Sequence, residues 1–212
     1  MNKIKLLAII FMSIIIISCS EDSTTEPEES IFDVQGENGF VGTVEGTNAY
    51  IAFLVAEEEA IVYVCNGDEE IAEWFRGNIG DPENISLTNG DGAQVSGKYE
   101  GNSFTGSVVL RNSSTHPFTA STNTGTETGV FRVYGDEAAK EGIDAGWILN
   151  SSGEERGSFK INSVFQTTPK KPKIKNVNDG TSNTLLFNNK SFSIERFFLI
   201  RSGSFSFVGM NG

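Results

Sequence analysis

Four carboxylates, Asp68, Glu69, Glu70 and Glu73, stand just ahead of the aromatic pair Trp74 and Phe75. Two acids beside sugar-stacking rings are what glycoside hydrolysis requires, one to protonate the leaving oxygen and one to attack or to activate water. In so acidic a chain, however, most carboxylates do no more than solvate the surface. Trp74, Phe75, Asp68 and Glu70 are therefore read as a candidate binding surface, and no catalytic pair is assigned. The turns Asn66-Gly67-Asp68-Glu69 and Asn89-Gly90-Asp91 offer oxygen donors of the kind calcium prefers. Neither continues into the twelve-residue loop with its distal Glu, so no metal ligand is assigned and no cofactor is expected.

Nucleophilic chemistry finds less support. The sole histidine, His116, lies in the polar stretch 112–117, next to Pro117. A Ser–His–acid triad needs an imidazole held against an oriented carboxylate, and a histidine in such a loop is expected to face solvent. Cys65 ends the run Ile61-Val62-Tyr63-Val64-Cys65, whose alternation puts Ile61, Tyr63 and Cys65 on one face of a strand. A thiol placed so packs as a small hydrophobe, and the nearby acids Asp68, Glu69 and Glu70 oppose a thiolate. The chain has no Gly-x-Ser-x-Gly elbow, no phosphate-cradling glycine loop and no His-Glu-x-x-His. The residues do not point to an enzyme.

The elements that must position these groups are strands. Short β-branched and aromatic runs occupy 40–45, 49–56, 60–65, 71–77, 84–88, 93–100, 103–111, 117–120, 129–134, 145–150 and 156–162. Asn66-Gly67, Asn89-Gly90, Gly101-Asn102 and Ser152-Gly153 supply turn residues between them. The one helical candidate is 136–141, with acids at its start. Short connections favour an all-β, antiparallel up-and-down meander over a Greek key, and closure into a barrel removes its exposed edges. A β-sandwich is the alternative. On strand 103–111, Phe104, Gly106, Val108 and Leu110 share one face, as a small filled barrel requires. Trp147, among apolar neighbours, is expected in the core, and Trp74 is expected to be the outward member of its pair with Phe75.

The chain begins with Lys3 and Lys5, an apolar run from 4 to 17, and Ser18-Cys19. That is the layout of a secretory leader, and the run is too short to span a bilayer. Ile16-Ile17-Ser18-Cys19 closely resembles the lipobox of bacterial lipoproteins, which implies cleavage after 18 and acylation of Cys19. Cys19-Ser20-Glu21-Asp22 resembles the acidic export signal of surface lipoproteins of Bacteroidota, which implies an outer-membrane lipoprotein exposed at the cell surface. Tyr63-Val64-Cys65-Asn66-Gly67, Glu73-Trp74-Phe75 and Ala145-Gly146-Trp147-Ile148 are together similar to patterns in secreted bacterial β-rich domains of unknown function. The Tyr-x-Cys-x-Gly run over 63–67 also resembles lipoprotein lysozyme inhibitors, though their paired cysteine and Ser-x-x-Arg-Tyr-like loop are absent. A barrel behind a lipobox looks like transferrin-binding-type surface lipoproteins.

Four segments follow from this: a leader over 1–18, an acidic tether over 19–38, a β-meander barrel over 39–162, and a basic linker with extra strands over 163–212. The tether carries five acids and no base between 19 and 30, too polar to bury a core. Residues 31–162 hold 21 acids against 7 bases, and 163–212 hold 7 bases against 2 acids. So acidic a body argues against nucleic-acid binding, which needs clustered Lys and Arg. Lys170, Lys171, Lys173 and Lys175 read as a solvated linker. The expected partners are the membrane, through the lipid anchor, and a protein or glycan. The expected function is binding or envelope structure, with inhibition of a hydrolase as the alternative.

Overall fold

The computed structural model describes residues 39–56, 59–125, 128–169, 183–187, 190–196, 198–199 and 205–206. The leader, Cys19, the tether and the lysines of 170–175 lie outside the described residues. The fold is all-β, and its larger sheet curls into a nearly closed barrel. Eight antiparallel strands build that sheet: β1 (Phe40–Val44), β2 (Tyr50–Ala56), β3 (Glu59–Asn66), β4 (Ile71–Asn78), β5 (Ile85–Thr88), β6 (Gln94–Glu100), β7 (Ser103–Val109) and β8 (Thr115–Thr122). Their order is β4-β3-β2-β1-β8-β7-β6-β5, so two four-stranded meanders meet where β1 pairs with β8. The seam between β4 and β5 is not laddered. Side chains bridge it instead: Asn89 Nδ2 donates to Glu73 Oε2 at 2.8 Å, while Ile79 and Leu87 are buried there in the barrel core.

The barrel is filled. Phe40, Phe53, Phe75, Phe104 and Phe118 converge with aliphatic side chains from every strand. Phe53 and Phe104 stack with ring centroids 4.5 Å apart, and Phe40 meets Phe104 edge-on at 4.9 Å. In the barrel wall, β6 and β7 approach closely at the facing pair Gly97 and Gly106. A Cβ on Gly106 would sit 2.0 Å from the Ser96 carbonyl oxygen. Glycine in a strand interior marks this kind of close backbone approach.

The strands expected as one meander over 39–162 divide between two sheets. β8 already has both edges occupied, by β1 and β7, so the next strand cannot extend the barrel. β9 (Gly129–Tyr134), β10 (Ile143–Leu149), β11 (Glu155–Ile161) and β12 (Val164–Phe165) form a second sheet, completed by β13 (Asn183–Phe187) and β14 (Lys190–Arg196). Its order is β12-β11-β10-β9-β14-β13. A short helix, α1 (Asp136–Lys140), links β9 to β10 and buries Ala138. β15 (Phe198–Leu199) and β16 (Phe205–Ser206) pair separately.

One face of the second sheet lies against the outer wall of the barrel. Val130 and Ile148 pack there with Tyr50, Leu54, Tyr63 and Cys65. Tyr63 hydroxyl and Ser158 Oγ share a buried hydrogen bond of 2.7 Å. Cys65 is fully buried, and its thiol donates to the Arg156 carbonyl at 3.5 Å. Burial pushes that thiol well above the ordinary cysteine range. The cause is therefore chiefly desolvation by the covering sheet, not the neighbouring acids. Native protein is expected to withhold Cys65 from a thiol reagent that labels it promptly after unfolding. Fast stoichiometric labelling of the folded state would contradict this placement.

The other face holds a second small core of Phe131, Val133, Ala145, Trp147, Phe159 and Phe192. Trp147 is fully buried, as its apolar surroundings predict, and its Nε1 donates to the Pro169 carbonyl at 2.8 Å.

Candidate functional site

In an antiparallel meander, alternate turns share one end. The β1–β2, β3–β4, β5–β6 and β7–β8 turns therefore gather at a single end of the barrel, and the sequence-singled acids sit among them. Asn66 ends β3 and caps a 3₁₀ turn over Gly67–Glu69, its Oδ1 accepting from the Asp68 amide at 3.1 Å. Glu70 closes the turn in the left-handed region at φ 55°. Asp68 and Glu70 are exposed. The Glu69 carboxylate accepts from the Asn48 amide at 3.1 Å and from Asn48 Nδ2 at 2.5 Å, which ties the β1–β2 turn to the β3–β4 turn.

The four expected contact residues do not converge. Phe75 is buried inside the barrel, 2% exposed, where no partner reaches it. Trp74 faces outward, as alternation requires, but the second sheet covers that wall. Its ring stacks on Tyr63 with centroids 3.8 Å apart. A Cβ on Gly146 would lie 2.9 Å from both rings, so the pair rests directly on the β10 backbone. Trp74 is half-buried packing between the sheets. Of the four, Asp68 and Glu70 are left at the open end.

Two clefts flank the β3–β4 turn. One, about 500 Å³, is lined by Glu69, Glu70, Glu73, Arg111, Asn112 and Phe165 among others. Glu73, 5% exposed, is held there by Asn89 and by Arg111 Nε at 3.5 Å. Arg111 also pairs with Asp91. This network closes the barrel end, and it accounts for an acid that the sequence placed in a surface cluster.

The other cleft, about 410 Å³, lies between Asn48, the Asn66–Asp68 turn, the start of β11 and Thr168. Arg156 forms part of its wall. Its Nε donates to the Asn48 carbonyl at 3.1 Å and its NH1 to the Glu155 carbonyl at 2.8 Å, and the guanidinium lies 4.9 Å over the Tyr50 ring. Tyr50 hydroxyl donates to Glu154 Oε2 at 2.8 Å, and Asn150 Nδ2 to the same oxygen at 3.1 Å. Those bonds hold the Glu154 carboxyl below the usual carboxylate range. Thr168 Oγ1 is buried in the cleft wall without a hydrogen-bond partner among the described residues, an arrangement that costs about 1–3 kcal/mol. Arg156 was not singled out by sequence reasoning, because an arginine on a strand gives no sign of what will lie beside it.

His116 sits in β8 and is half-buried, not in a solvent-facing loop. Its Nδ1 lies 2.9 Å from the Glu45 carbonyl and its Nε2 2.8 Å from Ser114 Oγ. A carbonyl can only accept, so Nδ1 carries a proton and donates to Glu45. The imidazole thereby ties the β7–β8 turn to the β1–β2 turn. The oxygen-rich turns use their side chains internally: Asn89 Oδ1 accepts from the Asp91 and Ala93 amides at 3.1 and 2.9 Å. Among the described residues no group of three or more His, Cys, Asp or Glu is arranged to hold a metal ion.

Comparison with known proteins finds no matching family, no matching curated protein and no matching solved structure.

Proposed function

We propose that this chain is a lipid-anchored envelope or cell-surface module that binds a protein or glycan partner through the loop end of its barrel. The observation that carries the reading is the filled interior. With five phenylalanines occupying the lumen, recognition falls to the outside, and the two clefts lie at one end. The short turns at that end favour a binding surface over the protruding loop an inhibitor would insert.

The anchor supports the same orientation. The leader ending Ile16-Ile17-Ser18-Cys19 supplies the acylated cysteine, and several acyl chains give stable attachment where one does not. β1 runs toward the loop end, from Phe40 to Val44. A tether arriving from Cys19 therefore enters at the opposite end, leaving the clefts on the side away from its attachment. Fully extended, the roughly 20 residues between them reach about 70 Å, enough to clear a crowded membrane surface.

Two measurements test the proposal. Wild-type protein is expected to incorporate labelled fatty acid and sediment with membranes, and Cys19→Ala to lose both. A photo-crosslinking residue at Gly90, in the β5–β6 turn of the same end where a Cβ meets nothing within 4 Å, is expected to trap a partner in intact cells, and one at Glu100, at the far end, to trap none. Continued acylation of Cys19→Ala would contradict the anchor, and equal adducts at both ends would contradict the loop-end surface.

A further inference from the structure

The charge pattern of the Arg156 cleft is unusual for this molecule. Arg76, Lys98, Arg111, Lys140, Lys160 and Lys190 each sit within ion-pair distance of a carboxylate. Arg156 has no such carboxylate among the described residues, although it belongs to a body with 21 acids against 7 bases. Its guanidinium is instead fixed by two backbone carbonyls and the Tyr50 ring. Those bonds use two of its five N–H donors. The others form a pre-positioned fork, the group best matched to a carboxylate.

Asp68 lines the same cleft, exposed, with its carboxylate oxygens in no hydrogen bond among the described residues. A simple anion entering here meets the repulsion of Asp68, Glu155 and the acidic body. A simple cation meets Arg156. A ligand carrying both charges avoids both penalties, because it is neutral overall and can present each end to its opposite. We propose that this cleft recognises a small zwitterion, an amino acid or a short peptide, whose carboxylate meets Arg156 and whose ammonium meets Asp68. A volume of about 410 Å³ falls within the range of small-molecule sites. Asn48 and Asn66 add amide groups to the wall. The assignment rests on the reading of the loop end as the binding end, and gives that end a ligand class.

The test is calorimetric titration of the full acyl-free chain (Cys19→Ala) with alanine, alanyl-alanine, the dipeptide's C-terminal amide, its N-acetyl form, and glucose. Alanine and alanyl-alanine separate a free amino acid from a peptide, and binding of either supports the proposal. The amide and the N-acetyl form are each expected to bind at least about tenfold more weakly, the scale of a lost charge-assisted hydrogen bond. Asp68→Asn is expected to weaken the free-amine ligand and leave the N-acetyl form unchanged. Arg156→Lys is expected to weaken every carboxylate-bearing ligand, with unfolding followed in parallel. Should that variant unfold, the exposed Asp68 position still decides the matter. Equal binding of amide and acid, binding of glucose alone, or no binding by any ligand would overturn the assignment. Crosslinks at Gly90 in cells with no dipeptide binding would overturn this ligand class and leave the loop-end reading standing. Dipeptide binding without such crosslinks would overturn the protein or glycan partner and leave the ligand class standing.

Discussion

Trp147→Ala is expected to destabilise the protein by about 3–5 kcal/mol, the usual cost of truncating a buried aromatic. The indole is fully buried in the second sheet's own core. It lies against Gly157 across the strand pair, where a Cβ would come within 2.4 Å of Trp147 Cδ1. Removing it opens a cavity that the β11 backbone cannot fill, and leaves the Pro169 carbonyl without its donor at 2.8 Å. For a chain of this size the loss corresponds to a fall in Tm of roughly 6–20 °C. Trp74→Ala should cost distinctly less, since Trp74 is half-buried and keeps one edge in solvent. Urea unfolding of the two variants checks the ranking. A larger loss for Trp74 would mean that Trp147 is not the fully buried side chain described.

Gly106→Val is the second large effect. Gly106 and Gly97 face each other across β6 and β7, and a Cβ at either would meet a carbonyl oxygen of the opposite strand, at 2.0 and 2.3 Å. Neither oxygen can retreat without loosening the ladder that lets Phe104 stack on Phe53. The expected cost is about 3 kcal/mol, the upper end for inserting atoms into a packed region. Gly90→Ala is the control, because a Cβ there meets nothing within 4 Å. If both substitutions are equally mild, the close approach of β6 and β7 does not constrain the barrel wall.

These two residues show how far the sequence could be read. Strand positions were legible because alternation and turn dipeptides mark them locally. The 103–111 reading, with Phe104, Val108 and Leu110 inward, matches the barrel core. Sheet membership was not legible. β9, β10 and β11 alternate much as the barrel strands do, and what excludes them is the occupied edge of β8, which is a property of pairing and not of composition. The same limit applies to the site. Alternation placed Phe75 inward and Trp74 outward, but the cover over Trp74 comes from Gly146, some seventy residues away in sequence. Glu73 looked like one more surface acid, and its clamp with Asn89 and Arg111 exists only once the barrel curls. Arg156 became legible as a candidate only when Asn48, Tyr50 and Asp68 lay around it.

The central claim, that partners dock on the loop end, is tested most directly by competition. In intact cells, adducts formed from a crosslinking residue at Gly90, in the β5–β6 turn of the loop end where a Cβ meets nothing within 4 Å, would be challenged with excess acyl-free protein (Cys19→Ala), unaltered or carrying charge reversals at one end. A competitor with Glu83→Lys and Glu100→Lys, at the end where the tether enters, is expected to suppress the adducts as well as the unaltered protein does. A competitor with Asp68→Lys and Glu70→Lys is expected to fail. Equal suppression by both, or failure of the Glu83 and Glu100 competitor alone, would place the binding surface elsewhere and contradict the account.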